Sequence, residues 1–245
     1  MGTLDTSDGR SGNGDGNSKA FRKKTTRILM GTLNIRVGRS GNLEMACRRL
    51  QDLNMDIVMV TETKLSHGKH TSLSYGYEVY GTNCNNTNLG GVAILVRRNA
   101  SWHIEDVEKR GPNVIKCTLV HDNKRVVLIG VYIPPSEEDL STMKELDAAL
   151  VGVDVENAVI MGDLNVSYSN PKDERSDEIV EALASYNLII LADRFKAKAS
   201  KPCIWTWRMF WEGTVVQALC DYILSGRQVR WWNFKVVDTL IDTDH

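Results

Sequence analysis

Short apolar runs recur along the chain from residue 27 onward, and polar turn residues separate them. Runs of this length that are rich in Val, Ile and aromatic residues are typical of buried strands. We therefore predict strands at 28–33, 57–60, 77–80, 91–96, 114–120, 126–133, 159–161, 188–191, 205–207, 219–224 and 229–237. The polar residues 121–124 are expected to close a hairpin between two of these strands.

Three segments carry apolar residues at helical spacing instead. The first follows Asn42, a suitable cap, and ends near Leu53, and the third covers 177–186. The second is predicted to open at a capping box formed by Ser136 and Asp139. Its predicted buried face consists of Leu140, Met143, Leu146 and Leu150. Because few strands are joined by crossover helices, the pattern predicts an α/β fold in which two mixed β-sheets pack together with helices outside.

Residues 1–26 differ in composition from the rest of the chain. Residues 1–20 are mainly Gly, Ser, Asn and Asp and are too polar to bury the surface that offsets the entropy of ordering, so we predict a disordered tail. The basic cluster at 22–27 is either a solvated entry to the first strand or a nuclear-import or nucleic-acid contact. The folded domain is predicted to span 27–245, an ordinary length for one α/β domain.

The amino-acid composition and net charge exclude several classes of protein. A formal net charge of -1 argues against a generally basic nucleic-acid coat, although it permits a local basic patch. The five cysteines include no C-x-x-C pair, which disfavours a disulfide framework or zinc knuckle and fits a reducing compartment. The sequence has neither an apolar stretch of membrane-spanning length nor a signal-like start. We therefore expect an intracellular protein without a membrane partner.

Polar motifs stand at or just beyond the ends of several predicted strands. The motif residues are Asn34, Glu62, Asp163, Asn165 and Asp221, followed at the end of the chain by Asp244 and His245. Strand ends are positions where a rigid scaffold can hold such groups around one small site. Carboxylates, amides and an imidazole in this order predict a metal-dependent phosphodiesterase.

Hydrolysis of a phosphodiester requires a metal ion, a group that activates water, and donors for the developing negative charge. Mg²⁺, or Mn²⁺ in its place, prefers oxygen ligands and retains several waters, so Glu62 and Asp244 suffice as candidate ligands. Asp163 is the candidate proton acceptor. The candidate donors to phosphate oxygens are Asn34, Asn165 and His245, the last held in its cationic form by Asp221.

Each motif residue taken alone also has an ordinary structural interpretation. Asn34 is a common turn residue, and Glu62 is a common solvated strand end. Asp163 followed by Asn165 is compatible with a simple Asx-turn. The combination of all motifs in one chain favours the functional interpretation.

The segments that carry these residues are 32–34, 61–63, 90–94, 131–135, 162–165, 206–207, 221–224 and 244–245. Together they resemble the endonuclease/exonuclease/phosphatase superfamily. Within it they are most similar to the apurinic-like endonuclease domains of RTE-type non-LTR retrotransposons and to the craniofacial development protein 2-like proteins. The resemblance covers roughly residues 27 to 245.

This resemblance implies a four-layer α/β sandwich and magnesium-dependent nicking of DNA. The nick would leave a 3′-hydroxyl that primes reverse transcription, in the nucleus. The resemblance also implies that Tyr132 is a phenol that contacts the phosphate at the catalytic site. From the residues alone, Tyr132 is a strand residue with a half-buried hydroxyl.

Two features depart from the family pattern. Repair apurinic endonucleases carry an acidic residue two positions after the first Asn, where this chain has Arg36, and this favours the transposon branch. Family members also continue into a further strand beyond the position of His245. The resemblance therefore implies that the last strand is missing, that a reverse transcriptase region lay downstream in a longer polyprotein, and that activity is impaired relative to an extended chain.

Aromatic and basic side chains supply candidate DNA contacts near the site. Most tryptophans of the last third are expected in the core, but Trp207, in the Thr-Trp motif, is a candidate for substrate binding. Arg97 and Arg98 are candidate contacts to DNA phosphates, although a solvated face explains them almost as well.

Three functional hypotheses follow from the sequence. The first is a DNA endonuclease that acts by metal-assisted hydrolysis. The second is a phosphatase or phosphodiesterase for small or lipid phosphates, since specificity lies in the loops of a shared scaffold. The third is an inactive transposon-derived protein that binds partners or nucleic acid without cleavage.

Overall fold

The computed structural model describes residues 2–5, 27–36, 42–65, 71–72, 75–82, 90–137, 140–167, 174–196, 206–211, 214–218 and 220–234. The strands are β1 (Gly2–Asp5), β2 (Arg27–Asn34), β3 (Ile57–Thr61), β4 (Thr71–Ser72), β5 (Tyr77–Gly81), β6 (Val92–Arg97), β7 (His103–Lys109), β8 (Val114–His121), β9 (Lys124–Tyr132), β10 (Ala158–Asp163), β11 (Ile189–Ile190), β12 (Trp207–Trp211), β13 (Thr214–Ala218), β14 (Asp221–Ser225) and β15 (Trp231–Phe234). The α-helices are α1 (Asn42–Asp52), α2 (Ser141–Leu150), α3 (Glu174–Ser185) and α4 (Leu191–Lys196), and a 3₁₀ turn covers Val155–Asn157.

The strands form two mixed sheets, which we call sheet A and sheet B. Sheet A has the spatial order β15-β1-β2-β3-β6-β5-β4, and sheet B has the order β11-β14-β10-β9-β8-β7. In both sheets a parallel pair lies at the centre, β2 with β3 and β9 with β10. Strands β12 and β13 form a separate hairpin.

Successive side chains of a buried strand point to opposite faces of the sheet and so belong to two different apolar layers. In β3, Ile57 and Met59 point into the core between the two sheets, whereas Val58 and Val60 pack with the α1 residues, including Leu50, on the outer face of sheet A. A strand with both faces covered must be apolar at every position, as β3 is. Burial of each such side chain contributes roughly 1.5–3 kcal/mol.

The outer face of sheet B is covered by the other two long helices. Ile129 and Val131 of β9 pack with residues of α2 and α3, among them Leu146 and Ile179. The order is therefore helix, sheet A, sheet B, helices. The predicted α/β fold, a four-layer sandwich of two packed mixed sheets flanked by helices, is confirmed.

The start of α2 differs from the sequence prediction, and the prediction that a capping box at Ser136 opens the helix was wrong. The helix begins at Ser141, and Leu140 occupies the cap position in a left-handed conformation without a capping side chain. The carboxylate of Glu137 serves the first turn instead, because it accepts hydrogen bonds from the Thr142 backbone N–H and from the hydroxyls of Ser141 and Thr142. Asp139 lies outside the described residues.

Other differences concern short elements with weak sequence signals. The run predicted as a strand at 188–191 divides into β11 and the short helix α4. Strand β7 was missed because its sequence is highly charged and its pairing with β8 is interrupted between Glu105 and Glu108. Strand β1 lies within the segment predicted as a disordered tail and pairs with both β2 and β15. Within the described residues, we find no helix that combines the length and the apolar character needed to cross a bilayer.

A partly buried carboxylate on α2 predicts a pH-dependent stability. Burial and the charge of Glu137 raise the pKa of Glu145 from 4.5 to about 7, and its Oε2 atom lacks a hydrogen-bond partner among the described residues. The folded protein therefore holds this proton more tightly than the unfolded chain. The bound proton on Glu145 stabilises the folded protein fully below about pH 4.5. This stabilisation decreases as the pH rises and is lost above about pH 7.

We expect Glu145→Gln to stabilise the protein at pH 8 by about 1–2 kcal/mol, after allowance for partial exposure, and to have no effect at pH 4.5. Thermal unfolding across this range measures the difference. Glu178→Gln on the exposed face of α3 removes the same charge and serves as the control. An equal gain from both variants at pH 8 would contradict the explanation.

Candidate active site

Five of the predicted site residues meet at one end of the two sheets. Asn34 ends β2 and Glu62 directly follows β3, and these two strands are parallel. Tyr132 and Asp163 end the parallel pair β9 and β10, where they are register partners. Asp221 begins the antiparallel strand β14 and faces Asp163 in register. The topology thus brings five residues together that are widely separated in sequence.

The side-chain amide of Asn34 lies at the centre of this cluster. Its Nδ2 donates to Glu62 Oε1 at 2.9 Å and to Asp163 Oδ2 at 2.8 Å. Asn34 and Asp163 are both fully buried. The second bond joins sheet A to sheet B, so one amide fixes two carboxylates that belong to different sheets.

Backbone N–H groups determine how Asn34 and Asp163 are oriented. Asn34 Oδ1 accepts from the N–H of Arg36 at 2.9 Å, and Asp163 Oδ1 accepts from the N–H of Asn165 at the same distance. Both are Asx-turns, in which a side chain bonds the backbone two residues further on. Since the Asn34 oxygen is occupied by a donor, its NH₂ group must face the carboxylates. The Asx-turn of Asp163 and Asn165, which the sequence also allowed as an ordinary structural feature, is thus part of the site geometry.

Several loop residues next to the site have a left-handed backbone. Positive φ angles occur at Arg36 (35°), Glu62 (54°), Lys64 (47°) and Asn165 (48°). For residues other than glycine this conformation is strained, by roughly 1 kcal/mol or more each, and it persists where surrounding contacts impose it. Here backbone bonds impose it, since the Lys64 N–H also donates to the Gly90 carbonyl at 3.2 Å.

The phenol of Tyr132 is buried and lies beside the Glu62 carboxylate. Burial raises the pKa of Tyr132 well above its ordinary value, and the negative charges of Glu62 and Asp163 raise it further, whereas Arg36 lowers it. The hydroxyl is therefore neutral at physiological pH. A neutral phenol is able to donate a hydrogen bond.

Thr206 is a site residue that the sequence reasoning missed. Its Oγ1 accepts from the backbone N–H groups of Asp221 and Cys220, at 2.9 and 3.0 Å. This contact fixes the start of β14 and hence the position of the buried Asp221 carboxylate. The Thr-Trp motif contained the signal, but the role was assigned to Trp207. Trp207 belongs to β12, and its side chain lies outside the described residues, as do Asp244 and His245.

Asn165 has a further contact that fixes its amide. Its Nδ2 donates to the Ile133 carbonyl at 3.0 Å, directly after β9. The amide is thereby held beside Tyr132 and Asp163. The second hydrogen of this NH₂ group is compatible with the predicted bond to phosphate.

Arg97 and Arg98 do not lie beside the carboxylates, which corrects the location expected from the sequence. Strand β6 runs antiparallel to β3, so Val92 pairs with Thr61 near Glu62, whereas Arg97 and Arg98 lie at the opposite end. The Arg97 guanidinium forms an ion pair with Asp56 there. Contact of either arginine with DNA stays a prediction.

The described residues at the site fit a hard divalent cation. Glu62 is half-buried and Asp163 is held against the same amide, and carboxylate oxygens are the ligands that Mg²⁺ prefers. One or two carboxylates suffice for this ion because it retains several waters. Within the described ranges, no group of three or more His, Cys, Asp or Glu side chains is arranged to hold a metal. The complete ligand set, which includes Asp244, is thus a prediction.

The fold and this cluster of carboxylates, amides and phenol define the class of hydrolases that act on phosphodiester bonds. The model of the Endonuclease/Exonuclease/phosphatase family matches residues 31–245, and the chain belongs to this family. A search of curated proteins gives no match.

Solved structures of low sequence identity share the fold. The endonuclease domain of TRAS1, a telomere-specific non-LTR retrotransposon, is 14% identical with a TM-score of 0.61, over 79% of this chain and 83% of that one. An AP endonuclease from Archaeoglobus fulgidus is 18% identical with a TM-score of 0.62, over 81% and 86%. The 3′ phosphatase NExo from Neisseria, bound to a product DNA hairpin, is 19% identical with a TM-score of 0.56, over 81% and 86%.

Proposed function

We propose that this protein is a metal-dependent DNA endonuclease that nicks a strand by in-line hydrolysis. The observation that carries the proposal is the Asn34 amide, which holds the carboxylates of Glu62 and Asp163 in one site across two sheets. Such an arrangement is preorganised, because the groups need not move to meet the reacting phosphate. It suits a reaction in which positioning and charge stabilisation supply most of the rate.

Asp163 is proposed to take the proton from the attacking water. Its two oxygens accept from Asn34 and from the Asn165 N–H, so the carboxylate is fixed in direction while lone pairs remain for a water. A carboxylate that is buried and oriented in this way is a suitable general base. Asn165 is proposed to donate to a phosphate oxygen with its remaining amide hydrogen.

Tyr132 is proposed to donate a hydrogen bond to the phosphate. Its raised pKa keeps the hydroxyl protonated, and the Glu62 carboxylate lies beside it at the same site. Asp221 and His245 are proposed to form the cationic donor that stabilises the transition state. Bound Mg²⁺ or Mn²⁺, held by Glu62 and Asp244, would neutralise charge on the phosphate oxygens.

DNA is the proposed substrate, nicked in the manner of a retrotransposon endonuclease. The structural relatives named above include a retrotransposon endonuclease domain, an AP endonuclease and a phosphatase bound to DNA. Arg36 supports this branch because it is exposed and places a positive charge beside the carboxylates, where an anionic strand must bind. A nuclear location and an association with a reverse transcriptase region belong to the same proposal.

Nicking of supercoiled plasmid in Mg²⁺, with EDTA as the blank, tests the function. We expect conversion to open circles in Mg²⁺ and in Mn²⁺, and none in EDTA. Parallel assays contain bis-p-nitrophenyl phosphate and an inositol phosphate at equal enzyme concentration. Hydrolysis of the inositol phosphate without any plasmid nicking would replace the proposal with the small-phosphate alternative, and inactivity on all substrates would favour a binding role.

A further inference from the structure

Asn113 connects the two sheets at the end that carries the site. It lies just before β8 and is 8% exposed. Its side-chain Oδ1 accepts from the N–H of Gly91, which precedes β6 in sheet A, at 3.2 Å. Its backbone carbonyl accepts from the N–H of Tyr132, in sheet B, at 3.0 Å. One residue thus bonds both sheets directly.

Gly91 in turn contacts the loop that carries Glu62. The Gly91 carbonyl accepts from the N–H of Thr63 at 3.2 Å, immediately after Glu62. The other contact ends on the backbone of Tyr132, whose phenol lies beside Glu62. These contacts close a ring through Asn113, Gly91, Thr63, Glu62 and Tyr132. This ring crosses between the sheets at two places. One crossing is the contact of the Tyr132 phenol with Glu62, and the other is the hydrogen bond between the Asn113 side chain and Gly91.

Gly90 shows how closely Asn113 approaches the loop. Gly90 has φ of +97°, and a Cβ atom there would lie 2.5 Å from Asn113 Oδ1. A side chain at this position would therefore separate the loop from the amide.

We propose that Asn113 is a positioning residue that holds Glu62 against Tyr132 across the two sheets. It touches neither substrate nor metal and acts through Gly91 and Thr63. The inference rests on the proposed function, since the importance of the Glu62–Tyr132 contact comes from that site. A small loss of this alignment is expected to lower kcat more than KM, because reacting groups tolerate little misplacement.

Three variants separate positioning from general stability. Asn113→Ala removes the acceptor for the Gly91 N–H and keeps the backbone bond to Tyr132. Asn113→Asp retains an oxygen acceptor. Thr142→Val removes the other partner of the Asn113 side chain, at 3.5 Å, and leaves the contact with Gly91 intact. Thr142 is buried, like Asn113, and lies outside the proposed catalytic set.

In plasmid nicking we expect Asn113→Ala to lower kcat by about 10- to 100-fold with KM unchanged within twofold. Asn113→Asp should recover most of this loss, and Thr142→Val should keep kcat within twofold although its Tm decreases comparably. Equal kcat losses in Asn113→Ala and Thr142→Val, or a full loss in Asn113→Asp, would overturn the proposal.

A crystal structure of Asn113→Ala provides a readout that does not depend on activity. We expect the Tyr132 phenol and the Glu62 carboxylate to have moved apart while the strands are unchanged. An unchanged separation of the two groups would overturn the role of Asn113 even if the protein nicks DNA. Absence of nicking by the unmodified protein would instead overturn the proposed function, and the crystal structure would still decide the contact.

Discussion

Replacement of Asp163 by asparagine is expected to lower the rate of plasmid nicking by about 10³-fold. Both carboxylate oxygens accept from N–H donors, Oδ2 from the Asn34 amide and Oδ1 from the Asn165 backbone. An asparagine amide has only one oxygen, so in either rotamer its NH₂ group opposes a donor. The variant therefore loses the proposed base and one buried hydrogen bond, and the latter costs about 1–3 kcal/mol of stability.

Single-turnover nicking in Mg²⁺ measures the first effect, and urea unfolding measures the second. Asp177→Asn, on an exposed position of α3, changes the same group without a role at the site. A nicking rate for Asp163→Asn within tenfold of the unmodified protein, with folding intact, would remove Asp163 from the role of base.

The largest effect on stability is expected from Gly162→Ala. Gly162 precedes Asp163 in β10 and has φ of +150°, which favours glycine. A Cβ atom there would overlap the backbone carbonyl of Val131 in the paired strand β9. Backbone of a paired strand cannot move aside as a flexible side chain can, so we expect a loss of about 3–5 kcal/mol, near the upper limit for one substitution.

Gly152→Ala isolates the effect of this overlap. Gly152 has φ of +73°, yet a Cβ atom there would meet no atom within 4 Å. We therefore expect a cost of only about 1 kcal/mol, from backbone strain alone. Chemical unfolding of the two variants gives the comparison. Similar losses for both would show that strand β9 yields to a side chain and that the close approach is not required.

The meeting of Asn34, Glu62 and Asp163 could be predicted from the sequence because the motifs coincide with strand ends. Alternating or continuous apolar runs identify strands, and a polar residue at the end of each run then lies at a sheet edge. Asn34 and Asp163 are 129 residues apart, and their positions at strand ends were enough to bring them together. The two-sheet architecture was predictable for the same reason, since runs such as that of β3 are apolar on both faces.

Contacts between residues that are far apart in sequence could not be predicted from such local patterns. The position of Arg97 away from the carboxylates of the site, and its ion pair with Asp56, depend on the antiparallel pairing of β6 with β3, which a local pattern does not reveal. The capping role of Glu137 depends on a left-handed residue at Leu140, which apolar spacing does not predict. Thr206 acts through its hydroxyl on the backbone of β14, and Asn113 acts through a loop of the other sheet. None of these contacts is local in sequence.

A double-mutant cycle of Glu62→Gln and Asp163→Asn tests most directly whether one magnesium-dependent site hydrolyses DNA. The measurement is the single-turnover nicking rate of four proteins in Mg²⁺. Residues that act as a unit have effects that are far from additive. We predict that the unmodified protein nicks and that the double variant is no more than about threefold slower than Asp163→Asn. Losses that multiply in the double variant, or an unmodified protein that leaves the plasmid intact, would contradict the account.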